Sequence, residues 1–261
     1  MHYAWVIAFA AMLVVLGAVG FARFAFGMVL PAMAADLALD YRQQGILSAS
    51  YFVGYLTIVI AMPRLAPRLG CKNLCVGGLA VVAVALFAMS LSREYEFLSV
   101  SYFIAGLGSG AAFVGAMSLP SHWFHPSHRG LGGGLIVAGA GLGILLSGFL
   151  VPRIPHRFTF SSWQLIWLLF ATLCTVFCIV AARVLHNRPS DIALLPYGRA
   201  DPLKHRSPSR TATNGSDDWP FLIQLGTIYA LFGATVLTYS TFIVTTMLND
   251  RGLPAATAAL L

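Results

Sequence analysis

Arg23 is the residue whose position most strongly suggests chemistry, because it lies inside a long apolar segment. The stretch Gly17–Asp36 reads GAVGFARFAFGMVLPAMAAD, and residues 4–19 are apolar throughout. A charged side chain at the centre of a bilayer costs about 2.5–3.5 kcal/mol on insertion scales. A planar guanidinium can form two parallel hydrogen bonds with a carboxylate. Arg23 is therefore a candidate anion site; the alternative is a structural role, either bonding a carbonyl or reaching towards the headgroups.

The composition of the chain places this arginine in a membrane protein. Of its 261 residues, 58% are hydrophobic and 10% are charged, whereas soluble domains carry roughly 25% charged residues. The apolar residues occur in runs of about 20, the length that crosses a bilayer. These runs predict an all-α polytopic membrane protein with seven spans and the start of an eighth after Pro254; the spans are expected at residues 4–33, 43–63, 74–91, 97–119, 131–151, 163–185 and 219–247.

Within these runs Arg23 has no acidic partner, since none of the seven contains Asp or Glu. Either a further helix or a bound solute must then supply the negative charge. Gly20 and Gly27 lie at i−3 and i+4, which in an α-helix leaves space beside the guanidinium. We therefore expect Arg23 to bind a carboxylate or a similar anionic group of a solute.

Hydroxyl groups inside the runs are the remaining polar candidates. Ser48, Tyr51 and Tyr55 share one helical face of span 2, and span 7 carries Thr238 and Tyr239. Such groups commonly bond back to their own helix or to a neighbouring one. Because a phenol offers both packing area and a hydrogen bond, Tyr55 and Tyr239 are the stronger candidates for a solute pathway.

The chain divides into three predicted parts: a six-helix bundle over 1–185, a polar central loop over 186–218, and residues 219–261. With the N-terminus in the cytoplasm, inner loops hold ten Lys or Arg residues and outer loops hold five, which favours that orientation in the inner (plasma) membrane. The net charge of +7 does not indicate a nucleic-acid partner, because the basic residues cluster in these loops.

A weak internal repeat relates two of the spans. Residues 17–31 and 106–120 align at an offset of 89 residues, with six identities in fifteen positions. These residues belong to spans 1 and 4, which cross the membrane in opposite directions. The pattern favours a 3+3 inverted repeat in the first six spans.

The chain resembles transporters of the major facilitator superfamily, and in particular the YbfB/YjiJ-type branch. The resemblance is carried by GFARFAFGMVLPAMAADL in span 1, HWFHPSHRGLGGGLIVAGAGLGILLSG before and within span 5, RPSDIALLPYG after span 6 and YSTFIVTTMLNDRGL in span 7. It implies twelve spans in a complete protein, which would be a monomer, with this chain ending inside span 8. It also implies that helices 1, 4, 7 and 10 line the solute path, which places Arg23 on that path. Tyr102 joins the path only because it stands where the family often has an arginine in span 4.

The resemblance also implies a gating loop between spans 2 and 3. The stretch PRLAPRLGCK keeps three residues of the family pattern, Arg68, Gly70 and Lys72. Pro67 stands where the family has an aspartate that caps a helix and pairs with a basic partner. Since proline can do neither, the gating role of this loop departs from the family.

The function expected from these features is secondary transport of a small organic anion, without a cofactor, a metal site or enzyme activity. One alternative is an integral membrane enzyme, although no nucleophile–base pair or metal-ligand set can be assembled from the spans. Another is a non-transporting remnant, since the sequence stops inside an apolar run.

Overall fold

Six membrane-length spans form a helical bundle in the computed structural model, which describes residues 2–153, 161–198, 220, 223–228 and 230–236. Span 1 is Tyr3–Leu37, spans 2 and 3 together occupy Tyr41–Leu91 with a kink at Gly70, span 4 is Tyr95–Trp123, span 5 is Arg129–Leu150 and span 6 is Ser162–Val184. Short 3₁₀ turns occupy Pro126–His128, Val151–Arg153 and Pro189–Ile192. The predicted all-α membrane architecture is confirmed.

Of the predicted seventh span, residues 223–228 and 230–236 are described and are helical. Thr238 and Tyr239, the candidate residues of that span, lie outside the described residues, as does the predicted start of span 8. The central-loop prediction is likewise described only as far as Gly198.

Span 1 is one continuous helix that changes its winding near the middle. It is α-helical over Tyr3–Val15 and Ala25–Leu37, and Leu16–Phe24 between them forms a π-helix. A π-helix bonds i→i+5, so it alters the direction in which the following side chains point. Gly17 and Gly20 lie in this segment and weaken the competing α-helix by about 0.5–1 kcal/mol each. The apolar run predicts the span but does not indicate the π-helix.

Spans 2 and 3 are separate helices, but the connection between them is far shorter than the gap expected over residues 64–73, most of which are helical. The stretch Tyr41–Leu91 consists of two helices that meet at a kink, and the non-helical residue between them is Gly70, at φ +76° and ψ +160°. The chain reverses at this residue because glycine adopts a positive φ without a steric penalty. Pro63 and Pro67 lie within the helix that leads up to the reversal.

Local signals define the other helix ends. Asp40 caps span 2 by accepting a hydrogen bond of 2.7 Å from the backbone N–H of Gln43, whose side chain accepts one of 3.0 Å from the N–H of Asp40. This reciprocal pair is a capping box. Span 1 ends just before, where Ala38 takes the left-handed conformation and the N–H of Leu39 bonds the carbonyl of Ala34.

The spans pack closely through glycine. A Cβ atom on Gly54 in span 2 would overlap the carbonyl oxygen of Phe103 in span 4, and a Cβ on Gly20 would lie 2.6 Å from Cα of Gly143 in span 5. In lipid, such close backbone packing is a main source of attraction between helices. Large apolar side chains instead cover the outside of the bundle, among them Ile60, Val84 and Leu145.

Candidate functional site

Arg23 lies at the end of the π-helix, and its side chain faces spans 2 and 4. Its Cζ atom is 5.0 Å from the centroid of the Phe24 ring and 5.1 Å from that of the Phe52 ring. These cation–π contacts contribute about 0.5–2 kcal/mol each. The Nε atom is buried without a hydrogen-bond partner, and the described residues form no ion pair with the guanidinium. Two aromatic rings therefore hold a cation whose charge stays uncompensated within the described chain.

A small cavity adjoins this guanidinium. The space within it that water can occupy is about 10 Å³, which is room for roughly one water molecule. Four of its seven lining residues are aromatic; the lining consists of Arg23, Phe24, Phe26, Gly27, Ser48, Phe52 and Tyr102. An organic solute is too large for this cavity, so a solute at Arg23 would lie against this lining rather than inside it.

The π-helix is fixed by hydroxyl groups from the two facing spans. Tyr102 donates a hydrogen bond of 3.0 Å to the carbonyl of Ala22, and Tyr51 donates one of 3.4 Å to the carbonyl of Ala18. Ser109 donates to the same Ala18 carbonyl. These side chains satisfy backbone acceptors in the region of irregular winding, which orients the segment that ends in Arg23.

The structure brings together some of the residues predicted from the sequence. Tyr102 is 2% exposed, lines the cavity beside Arg23 and stacks on Phe26 at a centroid distance of 4.5 Å. Tyr55 is partly buried beside Tyr51, at 6.4 Å between ring centroids, and does not line the cavity. Gly27 does line it, as expected.

The expectation that Gly20 also leaves space beside Arg23 is wrong. Gly20 packs against Gly143 of span 5 instead. The reason is the π-helix, because its wider turns break the α-helical spacing on which the expectation depended.

Sequence reasoning missed the aromatic contacts of Arg23. Phe52 lies four residues after Ser48, so its helical spacing places it on the same face of span 2 as that residue. That spacing could have predicted the contact between Phe52 and Arg23. No spacing predicts the contact with Phe24, because neighbouring residues of a regular helix do not face each other.

A second polar cluster joins three spans at the end of the bundle that holds Asp36. One carboxylate oxygen of Asp36 accepts hydrogen bonds from Ser161 at 2.6 Å and from the indole N–H of Trp163 at 2.8 Å. The same oxygen lies 3.5 Å from a guanidinium nitrogen of Arg93, which also donates to Ser161 at 2.6 Å. This cluster, called here the Asp36 cluster, ties the end of span 1 to the end of span 3 and the start of span 6.

The predicted gating residues lie at the opposite end, around the reversal between spans 2 and 3. Arg68 and Gly70 line an open pocket with an empty volume of about 1080 Å³, together with Asn187 from the segment after span 6. The side chain of Asn187 accepts a hydrogen bond of 2.8 Å from the backbone N–H of Lys72. A Cβ on Gly70 would lie 2.9 Å from this side-chain oxygen. Asn187 thus binds the first turn of span 3, near where Pro67 replaces the family aspartate.

Relatives of this chain are membrane transporters. It is 23% identical over 171 residues to the hexuronate transporter of Bacillus subtilis (strain 168), an alignment covering 65% of this chain and 39% of that protein. It is 27% identical over 168 residues to the 4-hydroxybenzoate transporter PcaK of Acinetobacter baylyi, covering 64% of this chain and 36% of that protein. The chain therefore spans well under half the length of these curated relatives.

The fold has a counterpart among solved structures. A bacterial homologue of the human lysosomal transporter Spinster, in an inward-facing and unoccupied conformation, matches with a TM-score of 0.76 and 14% identity. The match covers 100% of this chain and 58% of that one.

A family model described as "Uncharacterised MFS-type transporter YbfB" matches residues 15–261. On this match, the chain belongs to the YbfB family of the major facilitator superfamily.

Proposed function

We propose that the protein containing this chain is a secondary transporter of a small organic anion, and that Arg23 binds the anionic group. The observation that carries the proposal is the uncompensated guanidinium, which is held by Phe24 and Phe52 and has no acidic partner in the described residues. Arg23 is half-buried and its Nε atom is fully buried, and burying part of a charged group without a partner is unfavourable. A carboxylate that forms two hydrogen bonds with the guanidinium removes this penalty, and it does so only while solute is bound.

Alternating access would act on this site as it does in other transporters built from two halves. In such proteins, the halves rock around a central binding site near the middle of the membrane. Arg23 suits that position, since it lies midway along a span running from Tyr3 to Leu37. The relatives that transport hexuronate and 4-hydroxybenzoate, both organic anions, support the solute class.

We also propose that the N-terminus lies in the cytoplasm and that the protein acts as a monomer. The ratio of ten basic residues to five favours a cytoplasmic N-terminus in the inner (plasma) membrane. The reversal with Arg68, Gly70 and Lys72 would then lie on the cytoplasmic side and form part of the gate. The protein is proposed to work as a monomer and to need no cofactor.

The test replaces Arg23 in the full-length protein by Ala, Gln and Lys. Uptake of radiolabelled benzoate, 4-hydroxybenzoate and D-glucuronate into proteoliposomes is then measured. Loss of a charged hydrogen-bond pair costs about 1.5–3 kcal/mol, so the Ala and Gln variants should raise KM for the transported acid by about 10- to 100-fold. The Lys variant should keep part of the activity because it keeps the charge without the planar geometry.

Arg42→Ala is the matched control, since Arg42 is exposed at the start of span 2. It should leave uptake unchanged. Undiminished uptake by the Arg23→Ala variant would contradict the proposal.

A further inference from the structure

We infer that the transported solute is an aromatic carboxylate rather than a polyhydroxylated acid, and that Phe52 selects it. This inference rests on the proposed function, because it describes the body of the solute whose carboxylate Arg23 binds. It starts from the side chains that surround the guanidinium rather than from the charge itself.

The surfaces beside Arg23 are aromatic. Phe24 and Phe52 contact the guanidinium and are only partly buried, so each keeps ring surface that a solute can reach. Phe26 and Tyr102 are 1% and 2% exposed and stack on each other behind them. The inner pair of rings is therefore already packed, and the outer pair is free to contact a bound molecule.

Besides Arg23, two polar side chains line this cavity, Tyr102 and Ser48. The hydroxyl of Tyr102 donates to the carbonyl of Ala22. Among the residues that line the cavity, Ser48 is the other hydroxyl, and it is 8% exposed. A sugar acid carries several hydroxyl groups, and each one buried without a partner costs about 1–3 kcal/mol. Within the described lining a single serine is available for that set, whereas an aromatic acid needs a polar partner for its carboxylate alone.

Aromatic surface is a direct source of affinity for a solute ring. An aromatic pair contributes about 0.5–1.5 kcal/mol beyond its buried area, and ring surface beside a charge pair also excludes water from it. Phe52 is the ring of the outer pair that comes from a second span, so it can contact a solute whose carboxylate lies on Arg23 of span 1. This position makes Phe52 the residue that determines specificity for the body of the solute.

The experiment compares solutes of matched shape in proteoliposomes that contain the full-length protein. Uptake of radiolabelled benzoate is measured in competition with unlabelled benzoate, cyclohexanecarboxylate and D-glucuronate. We expect benzoate to compete at least about 10-fold better than D-glucuronate. Phe52→Leu, which keeps apolar volume but removes the ring, should reduce the preference for benzoate over cyclohexanecarboxylate by about 2- to 12-fold, the factor equivalent to one aromatic pair.

Two further variants separate a specific effect from a general one. Phe52→Tyr keeps the ring and should keep the preference. Phe9→Leu makes the same change at a residue of span 1 that is 56% exposed on the outside of the bundle, and it should leave all the competition constants unchanged.

Several outcomes would overturn the inference. D-glucuronate competing as well as benzoate, or glucuronate uptake without benzoate uptake, would contradict the aromatic solute while leaving the proposed function in place. An unchanged preference in Phe52→Leu would contradict the role of Phe52. Benzoate uptake that does not change in Arg23→Ala, or no uptake of either acid and no rise in Tm with either, would contradict the proposed function as well.

Discussion

Span 1 carries one charged residue near its middle and another near its end, and the chain surrounds them in opposite ways. Asp36 is bound by Ser161, Trp163 and Arg93, so its charge is met by three donors from other spans. Arg23 contacts two phenylalanine rings and keeps a buried Nε without a partner. Asp36, which has more partners, is also the more exposed of the two residues, since Arg23 is half-buried.

On the proposed function, this difference separates a structural charge from a functional one. Folding supplies partners for a charge that only holds helices together, as it does in the Asp36 cluster. A charge left without a partner in an apolar environment is unfavourable for stability and persists when it is needed by something outside the chain. The comparison therefore predicts that changes at the two sites affect different measurements: solute affinity at Arg23 and stability at Asp36.

The largest effect is expected from giving Arg23 a partner inside the protein. Ser48→Asp places a carboxylate in the lining that Arg23 shares, so the site near the middle of span 1 would resemble the Asp36 cluster. The new carboxylate should occupy the guanidinium and exclude the anionic solute. We expect uptake to fall by about 10- to 100-fold, equivalent to 1.5–3 kcal/mol for a charged hydrogen bond, with the protein still folded.

Ser48→Asn is the matched control for this change, because it has nearly the same size as Asp and no charge. It should reduce uptake far less than Ser48→Asp does. Measurements of benzoate and D-glucuronate uptake beside the unfolding temperature would check both points. Equal losses in the two variants would show that shape, rather than charge, causes the effect.

The sequence predicts the fold well because the signal for a membrane span is strong. Runs of apolar residues locate six spans that the structure describes, and Arg23 stands out by charge alone. The reversal at Gly70 could not be separated from a loop, because Pro63, Pro67 and a glycine are equally compatible with either. The start of span 3 is bound by Asn187, which is 115 residues from the backbone N–H of Lys72 that it accepts from.

The candidate site is harder to predict from the sequence than the fold is, for a physical reason. Arg23 and Tyr102 are predicted, but the π-helix over Leu16–Phe24 changes the direction of every residue within it. This winding is stabilised by contacts from spans 2 and 4 and by packing against Gly143 of span 5. Such tertiary contacts have no signature in the local spacing of span 1, so the positions of Gly20 and Phe24 could not be derived from it.

An intermediate effect, on stability rather than on transport, is expected at Asp36. Asp36→Ala leaves the indole N–H of Trp163 without its acceptor, and that side chain is only 1% exposed. A buried donor without a partner costs about 1–3 kcal/mol, so Tm in detergent should fall while KM for the transported acid stays unchanged. Asp36→Asn keeps a carbonyl acceptor and should lose less. A rise in KM without a fall in Tm would contradict the assignment of Asp36 to a structural role.

The smallest effect is expected at Arg93, the other charged member of the Asp36 cluster. Its side chain is 57% exposed and lies 3.5 Å from the carboxylate oxygen of Asp36. Exposed ion pairs contribute about 0.2–1 kcal/mol, and salt weakens them further. Arg93→Ala should therefore lower Tm by less than Asp36→Ala, and the difference from wild type should shrink as NaCl is raised from about 0.05 to 0.5 M. Ser161 and Trp163 still bind Asp36 in this variant, so spans 1 and 6 stay joined. A loss in Arg93→Ala as large as that in Asp36→Ala would mean that the ion pair, rather than the acceptor for the buried indole, holds this end of the bundle together.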